Sequence, residues 1–330
     1  MRRRTGLLAV ASLAAPWLAS AQAKMPRVGV LSPGTQSPGL LADARAQWKR
    51  LGWSDGETLL TIWRHAAFNA DRMSELASDL LQRHSVDLLM AIGPEAAVAA
   101  ARATRTVPLV FVWGYLPVES GLVESYSRPG RNATGIALSD GLDVSNKRIE
   151  FLRAVAPAAR RLAIVGPNFG DYAVSGELLD LPKKGVATAH AHGFDATVHT
   201  ARRVDEVDAA LLEAAAARAQ VVLISGAAYS GAAARVVEFA LHQGWVSSTL
   251  SVDLLDAGLL MYYGPSQREH QRIWARGFEI ADRILRGAKP ADMPVELPTR
   301  YELALNLKTA RALDLKLPQA ISMRADRVIE

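Results

Sequence analysis

The chain has 330 residues, half of them hydrophobic and 22% charged, which is length and apolar content enough to bury a large core in two domains. The formal net charge of +5 falls to +2 when Arg2, Arg3 and Arg4 are set aside, and no basic block interleaved with aromatics remains, which excludes a nucleic-acid-binding protein. With no cysteine in the sequence, a disulfide, a thiolate metal site and a thiol nucleophile are excluded as well.

The opening stretch "MRRRTGLLAVASLAAPWLASAQAKMPR" sets three arginines before an apolar run from 6 to 18, with small residues at Ala21 and Ala23. It reads as a signal peptide spanning 1–23, cleaved after about Ala23, so that the mature chain is periplasmic. About 13 apolar residues interrupted by Pro16 are too few to span a bilayer, which needs roughly 20. Gly6 stands where the twin-arginine signal wants a bulky apolar residue, which favours the general secretory route.

From Arg27 onward short apolar runs alternate with helical patterns. "RVGVL" (27–31) is a buried strand, and a helix follows with Leu41, Ala44, Trp48 and Leu51 on one face. "LLTIW" (59–63) precedes a helix capped by Asn69, with Met73, Leu76 and Leu80 turned inward. "VDLLMAI" (86–92) breaks at Gly93-Pro94 into an alanine-rich helix, and "VPLVFV" (107–112) is the next strand. The pattern then restarts with strands at "RLAIV" (161–165), "ATVHT" (196–200) and "VVLIS" (221–225), separated by helices near 177–192, 204–218 and 232–243. "LLMYYG" (259–264) leads into a long helix over 266–285 closed by Gly287, after which 293–307 reads as an extended crossing and a strand, with a terminal helix at 308–313. Such alternation predicts an α/β fold of two Rossmann-like lobes, each a parallel sheet flanked by helices.

Parallel sheets bind ligands beyond the carboxyl ends of their strands. The candidate site residues are therefore loop tips: Ser32, Gly93, Pro94, Glu95, Trp113, Tyr115 and Leu116 in the first half, and Asn168, Phe169, Ser225, Gly226, Tyr229 and Thr249 in the second. Rings and small polar groups facing each other across a gap are the composition of a small-molecule clamp, suited to an aromatic or largely apolar ligand. Trp113 and Tyr115 form its expected apolar wall, with backbone amides near Ser32 and Gly93 and the side chain of Asn168 for polar groups, so Trp113→Ala should cut affinity and leave the fold intact.

Tests for chemistry return little. "SPGTQSPG" after the first strand fits neither dinucleotide nor P-loop patterns. His190 and His192 lie two apart at a helix end, about 200° apart on a helical wheel, and His199 falls on the next strand, so no metal site is expected. "GAAYSGAAA" has Ser230 before Gly231, but Ala228 replaces the first glycine of a nucleophile elbow and no base can be assigned. No catalytic residue, cofactor or metal is assigned, and the reading is not an enzyme.

The stretches "SGLVESYSRPGRNATGI" (120–136), "NKRIEFLRAVAP" (146–157), "ILRGAKPADMPVELPTRYELALNLKTARALDL" (284–315) and the closing "RADRVIE" resemble the ABC transporter substrate-binding protein family that includes tryptophan-binding exported proteins. That resemblance implies a type I periplasmic-binding-protein-like fold and a monomeric receptor that closes on a small solute by hinge motion and delivers it to the membrane permease of an ABC importer. The alternative is a periplasmic sensor that presents its closed form to a membrane receptor. Lobe one would comprise 27–139 and 261–292, and lobe two 140–260 and 293–330, joined by a multi-stranded hinge with crossings near Ser139, Leu260 and Val295.

The departures from the family fall at the pocket. Relatives commonly carry Gly-Thr-Pro where this chain has Gly93-Pro94-Glu95, and Gly-Asp-Pro-Val where it has Tyr115-Leu116-Pro117-Val118; an Asp-Pro pair aligns with Gly226-Ala227. A ligand ammonium buried without the acid at Leu116 would lose several kcal/mol, roughly a thousandfold in affinity. A zwitterionic amino acid is disfavoured on that ground, unless Glu95 supplies the missing charge.

Overall fold

Val28, Val30 and Leu31 are almost fully buried, and Gly29 between them sits so close to its neighbours that a Cβ there would meet Leu89, Val86 and Leu80 at 3.1–3.2 Å. A strand covered this tightly on both faces is the seed of a parallel sheet, which explains its unbroken apolar run. The computed structural model describes residues 25–139, 143–168, 173–174 and 181–330. The expected leader, Phe169 and the start of the expected 177–192 helix lie outside the described residues.

The first half runs β1 (Arg27–Ser32), α1 (Pro38–Arg50), β2 (Leu60–His65), α2 (Met73–Gln82), β3 (Leu88–Ile92), α3 (Pro94–Ala103), β4 (Leu109–Gly114) and β5 (Ala133–Ala137). The second continues with α4 (Asp143–Val155), β6 (Arg161–Gly166), α5 (Leu181–Ala191), β7 (Asp195–Thr200), α6 (Val207–Ala216), β8 (Val221–Ile224), α7 (Ala227–Gly231), α8 (Ala233–His242), β9 (Val246–Thr249), α9 (Val252–Ala257) and β10 (Met261–Pro265). The chain closes with α10 (Gln267–Leu285), β11 (Tyr301–Asn306), α11 (Leu307–Ala312), α12 (Gln319–Ser322) and β12 (Arg327–Ile329).

Among the described residues the first sheet has the order β2-β1-β3-β4-β5, all parallel, and the second β12-β11-β10-β9-β8-β6-β7, in which β11 runs antiparallel to β10. The run β7-β6-β8-β9-β10 repeats the first sheet's order, so the two halves are doubly wound in the same way. This is the expected two-lobed α/β architecture of type I periplasmic-binding proteins. Each sheet is packed between two apolar layers, one of which, on the first sheet, joins Val28, Met90, Val110 and Val112 to Ile273, Trp274 and Phe278 of α10.

The chain changes sheets at points the sequence did not place correctly. The expected return to lobe one at Met261 comes later, because β10 hydrogen-bonds beside β9 and β11, with Met261 opposite Ser248 and Leu305. Only at Ser266, whose side chain caps α10 by accepting from the Glu269 amide, does the chain cross to the first sheet. There Gly277 lets the helix lie close, since a Cβ on it would fall 2.6 Å from Val112 Cγ2. Residues 293–300, expected in lobe two, stay with the first sheet: Met293 and Val295 are buried in its cores, and the Glu296 amide donates to Gly135 O at 2.9 Å. The second sheet resumes at Tyr301.

Candidate functional site

In each sheet the strand order reverses direction between two parallel strands, β1 and β3 in the first, β6 and β8 in the second, and the chain leaves these strands through matching loops. After β1 comes Ser32-Pro33-Gly34 and after β6 Gly166-Pro167-Asn168; after β3 comes Gly93 and after β8 Ser225-Gly226. Gly93 (φ 83°) and Gly226 (φ 110°) each cap a helix in a conformation open to glycine and costly for other residues. The two reversal points face each other, and the cavity between them, about 230 Å³, is lined by Pro33, Gly93, Pro94 and Glu95 from one side and Pro167, Ser225, Gly226 and Ala227 from the other. This is where an open α/β sheet presents backbone amides to a ligand.

Of the residues expected here, Gly93, Pro94, Glu95, Tyr115, Ser225 and Gly226 line the cavity. Trp113 does not. A register shift between Val112 and Gly114 and a left-handed backbone at Trp113 (φ 61°) turn its ring out of the cleft and onto α10, where it stacks on Trp274 at 5.9 Å between centroids and 8° between planes. Leu116, also left-handed (φ 44°), is 2% exposed and packed inside. Ser32 is buried and its hydroxyl accepts from the Gly34 amide, so Pro33 reaches the cavity in its place. Asn168 lines a small neighbouring recess with Phe68 and Asn69. Tyr229 is fully buried in the second sheet's core, where burial holds its phenol well above the ordinary range. Thr249 is buried as well, its hydroxyl accepting from the Ser251 amide at 2.9 Å, and the following Leu250 and Ser251 face the cavity instead.

The second wall that loop tips did not reveal comes from helix faces. Ser145, Arg148 and Ile149 of α4 and Gly185 and Thr188 of α5 line the cavity, together with the strand residues Ile164 and Leu223. Arg148 is 3% exposed. Its Nη2 donates to Ser248 O at 3.1 Å and its Nε to Ser248 Oγ at 3.4 Å, and among the described residues no carboxylate forms an ion pair with it. Burial lowers its pKa to about 10, offset in part by the phenols of Tyr115 and Tyr262, so it stays charged at neutral pH. Tyr115 reaches over from the first half and hydrogen-bonds Ser145; burial raises its pKa and keeps the phenol protonated.

The rim is closed by contacts of a different kind. Ala67 and Phe68 both adopt left-handed backbone (φ 52° and 60°), which swings Phe68 so near to α7 that a Cβ on Gly231 would fall 2.5 Å from its ring. Beside it the Ala70 amide donates to Arg202 O at 3.0 Å, and Asp71 bridges Arg202 at 2.9 Å and Arg203 at 3.0 Å.

His192, His199 and Ser230, singled out in the sequence, have partners of their own. His192 pairs with Asn146 at 2.8 Å and His199 with Glu213 at 3.3 Å, and among the described residues no group of three or more histidines and acids is placed to hold a metal. Ser230 meets Ser251, at 2.9 Å. Among the described residues no helix is long and apolar enough to cross a membrane.

Residues 45–329 match the family model described as ABC transporter substrate binding protein. A curated relative, a tyrosine-binding protein of Clostridioides difficile, is 24% identical over 277 residues, covering 80% of this chain and 73% of that one. Among solved structures, a conserved domain protein from Vibrio cholerae superposes with a TM-score of 0.78 at 22% identity, covering 92% of this chain and 100% of that one. The ABC domain from Streptococcus pneumoniae in complex with L-Trp gives 0.76 at 19% identity, covering 92% and 99%. At these identities the solved structures share the fold.

Proposed function

The chain belongs to the ABC transporter substrate binding protein family, a family of solute-binding proteins and not of enzymes, and from that premise we propose that it captures a small organic solute between its lobes and delivers it to the permease of an ABC importer. The observation that carries this reading is the cavity at two facing strand-order reversals, walled by residues of both sheets. A ligand lodged there touches both halves at once, so it stabilises the closed arrangement over an open one by whatever it gains from the second wall.

Three chain crossings near Ser139, Ser266 and 297–300 form the hinge of this reading. Around the last two, Glu269 accepts from Arg272 Nη2 at 2.7 Å and from the Thr299 amide at 2.8 Å, while Glu296 takes Arg276 at 2.8 Å. Bending is then confined to a few bonds in linked strands, and the lobes move as units. Cleavage of the leader after about Ala23 would release the receptor into the periplasm, where it works as a monomer.

The related proteins described as tyrosine-binding and as complexed with L-Trp support a ligand built on a ring. The cavity suits one, since about 150 Å³ admits benzene and this space is larger by half.

Small-angle scattering with and without a compound that raises the melting temperature tests the reading. A smaller radius of gyration in the bound state is expected. Binding with unchanged dimensions would refute capture by closure, and a mature mass that retains the first residues would refute cleaved export.

A further inference from the structure

Arg148 is a buried cation that the described protein leaves without an anion. Two of its five N–H donors go to Ser248, and Arg148 lines a cavity whose other surfaces include the apolar Leu138, Ile149, Ile164, Leu223 and Leu250. A guanidinium taken out of water without a counter-charge is costly, and a fold gains nothing by keeping it there unless an anion arrives. Its planar fork matches a carboxylate in two parallel hydrogen bonds.

We propose that the ligand is an organic carboxylic acid with an apolar, ring-sized body, its carboxylate seated on Arg148, and that an α-amino group is not required. This rests on the capture reading above and adds the group that the cavity recognises. Ser145 and the hydroxyl of Tyr115 lie beside Arg148 on the same wall, so the carboxylate end is the polar end. Glu95, the acid among the lining residues, already has a partner within the protein. Leu116, packed inside, supplies no acid either. An aryl-alkyl acid therefore meets a complementary charge and an apolar wall, whereas the corresponding amine brings a second cation to Arg148.

The test uses the mature protein, four matched probes and two variants. 3-Phenylpropionate, phenylalanine, 3-phenylpropionamide and phenethylamine are titrated calorimetrically into wild type, R148M and R148Q. Expected are binding of 3-phenylpropionate at least as tight as that of phenylalanine, no measurable binding of the amide or the amine, and a loss of at least about thirtyfold for the acid in both variants. Melting curves without ligand separate a binding role from a structural one: R148M melts at or above wild type if the charge is held for a ligand. Equal binding of the amide, or unchanged affinity in a folded R148M, overturns the carboxylate assignment and leaves capture by the cleft standing. Phenylalanine binding while 3-phenylpropionate does not would overturn the claim that the amino group is dispensable. Failure of all four probes to bind wild type overturns the assignment of a ring-bearing carboxylic acid, and capture by the cleft is then decided by the scattering experiment alone. Ligand-free R148M and R148Q that both melt well below wild type make Arg148 a structural residue and overturn the proposal.

Discussion

The hydroxyl of Tyr115, which follows β4 of the first sheet, hydrogen-bonds Ser145 in α4 of the second half, so the two lobes touch inside the cavity as well as at its rim. If the lobes part as proposed, that bond would break. Tyr115→Phe keeps the ring and removes the bond, which is worth about 0.5–1.5 kcal/mol. Calorimetric titration should show affinity for 3-phenylpropionate reduced two- to tenfold, with the melting temperature of the free protein little changed. An unaltered affinity would mean that the bond does not favour closure.

Trp113 should behave in the opposite way from the sequence expectation. Its ring lies between Trp274 and His270 of α10, away from the cleft. Trp113→Ala should lower stability by about 2–4 kcal/mol through the space it leaves and leave affinity for the same probe within a factor of two. Denaturant titration alongside calorimetry distinguishes this from a role in the pocket.

Asp71 holds Arg202 and Arg203 across the mouth, and all three are more than a third exposed. Exposed pairs are weak and screened by salt. Asp71→Asn should therefore weaken ligand binding by only about two- to fivefold at low ionic strength and flatten the salt dependence seen in wild type. Affinities measured in dilute and in molar salt check this: the two proteins should converge at high salt.

Glu269 sets a pH dependence. Desolvation pushes its pKa up, but the hydrogen bonds from Arg272 and the Thr299 amide outweigh that and hold it below the ordinary value of 4.5. A carboxyl with a depressed folded pKa contributes stability that is present above the unfolded pKa and is lost as pH falls through the folded one. Glu269→Gln should cost about 1–3 kcal/mol at neutral pH, and the gap to wild type should close as the pH drops below about 4.5. A gap that stays constant down to pH 3 would contradict the assignment.

The strands that anchor each lobe were legible because they are buried on both faces: 27–31, 86–92 and 221–225 are apolar runs with no competing reading. β5, Ala-Thr-Gly-Ile-Ala, and β9, Val-Ser-Ser-Thr, were not, since small and hydroxyl side chains carry no periodicity and their strand state comes from their neighbours, β4 and a bridge to Glu296 for β5, β8 and β10 for β9. In the cavity, Gly93, Pro94, Glu95, Ser225 and Gly226 follow from strand ends alone. Trp113 could not be placed that way, because a one-residue irregularity in β4 exchanges the inward and outward sides. Arg148 did leave a signal. In α4 it stands between Val144 and Leu152 at spacing four, a charge on a buried stripe, but a search confined to loops does not look along helices.

The position of α10 in the chain decides when the fold can be completed. Val110, Val112 and Met90 form one face of the first sheet, yet the helix that covers them is encoded after the whole of β6 to β10. A nascent chain ending before 267 would display that face to solvent, and the sheet would be left with half its shielding. Neither half matures from a contiguous stretch, so the last steps of folding await long-range closure over more than a hundred residues, which makes them slow. In the exported-receptor reading, lateness of this kind would keep the chain pliable until almost all of it had been threaded through the membrane.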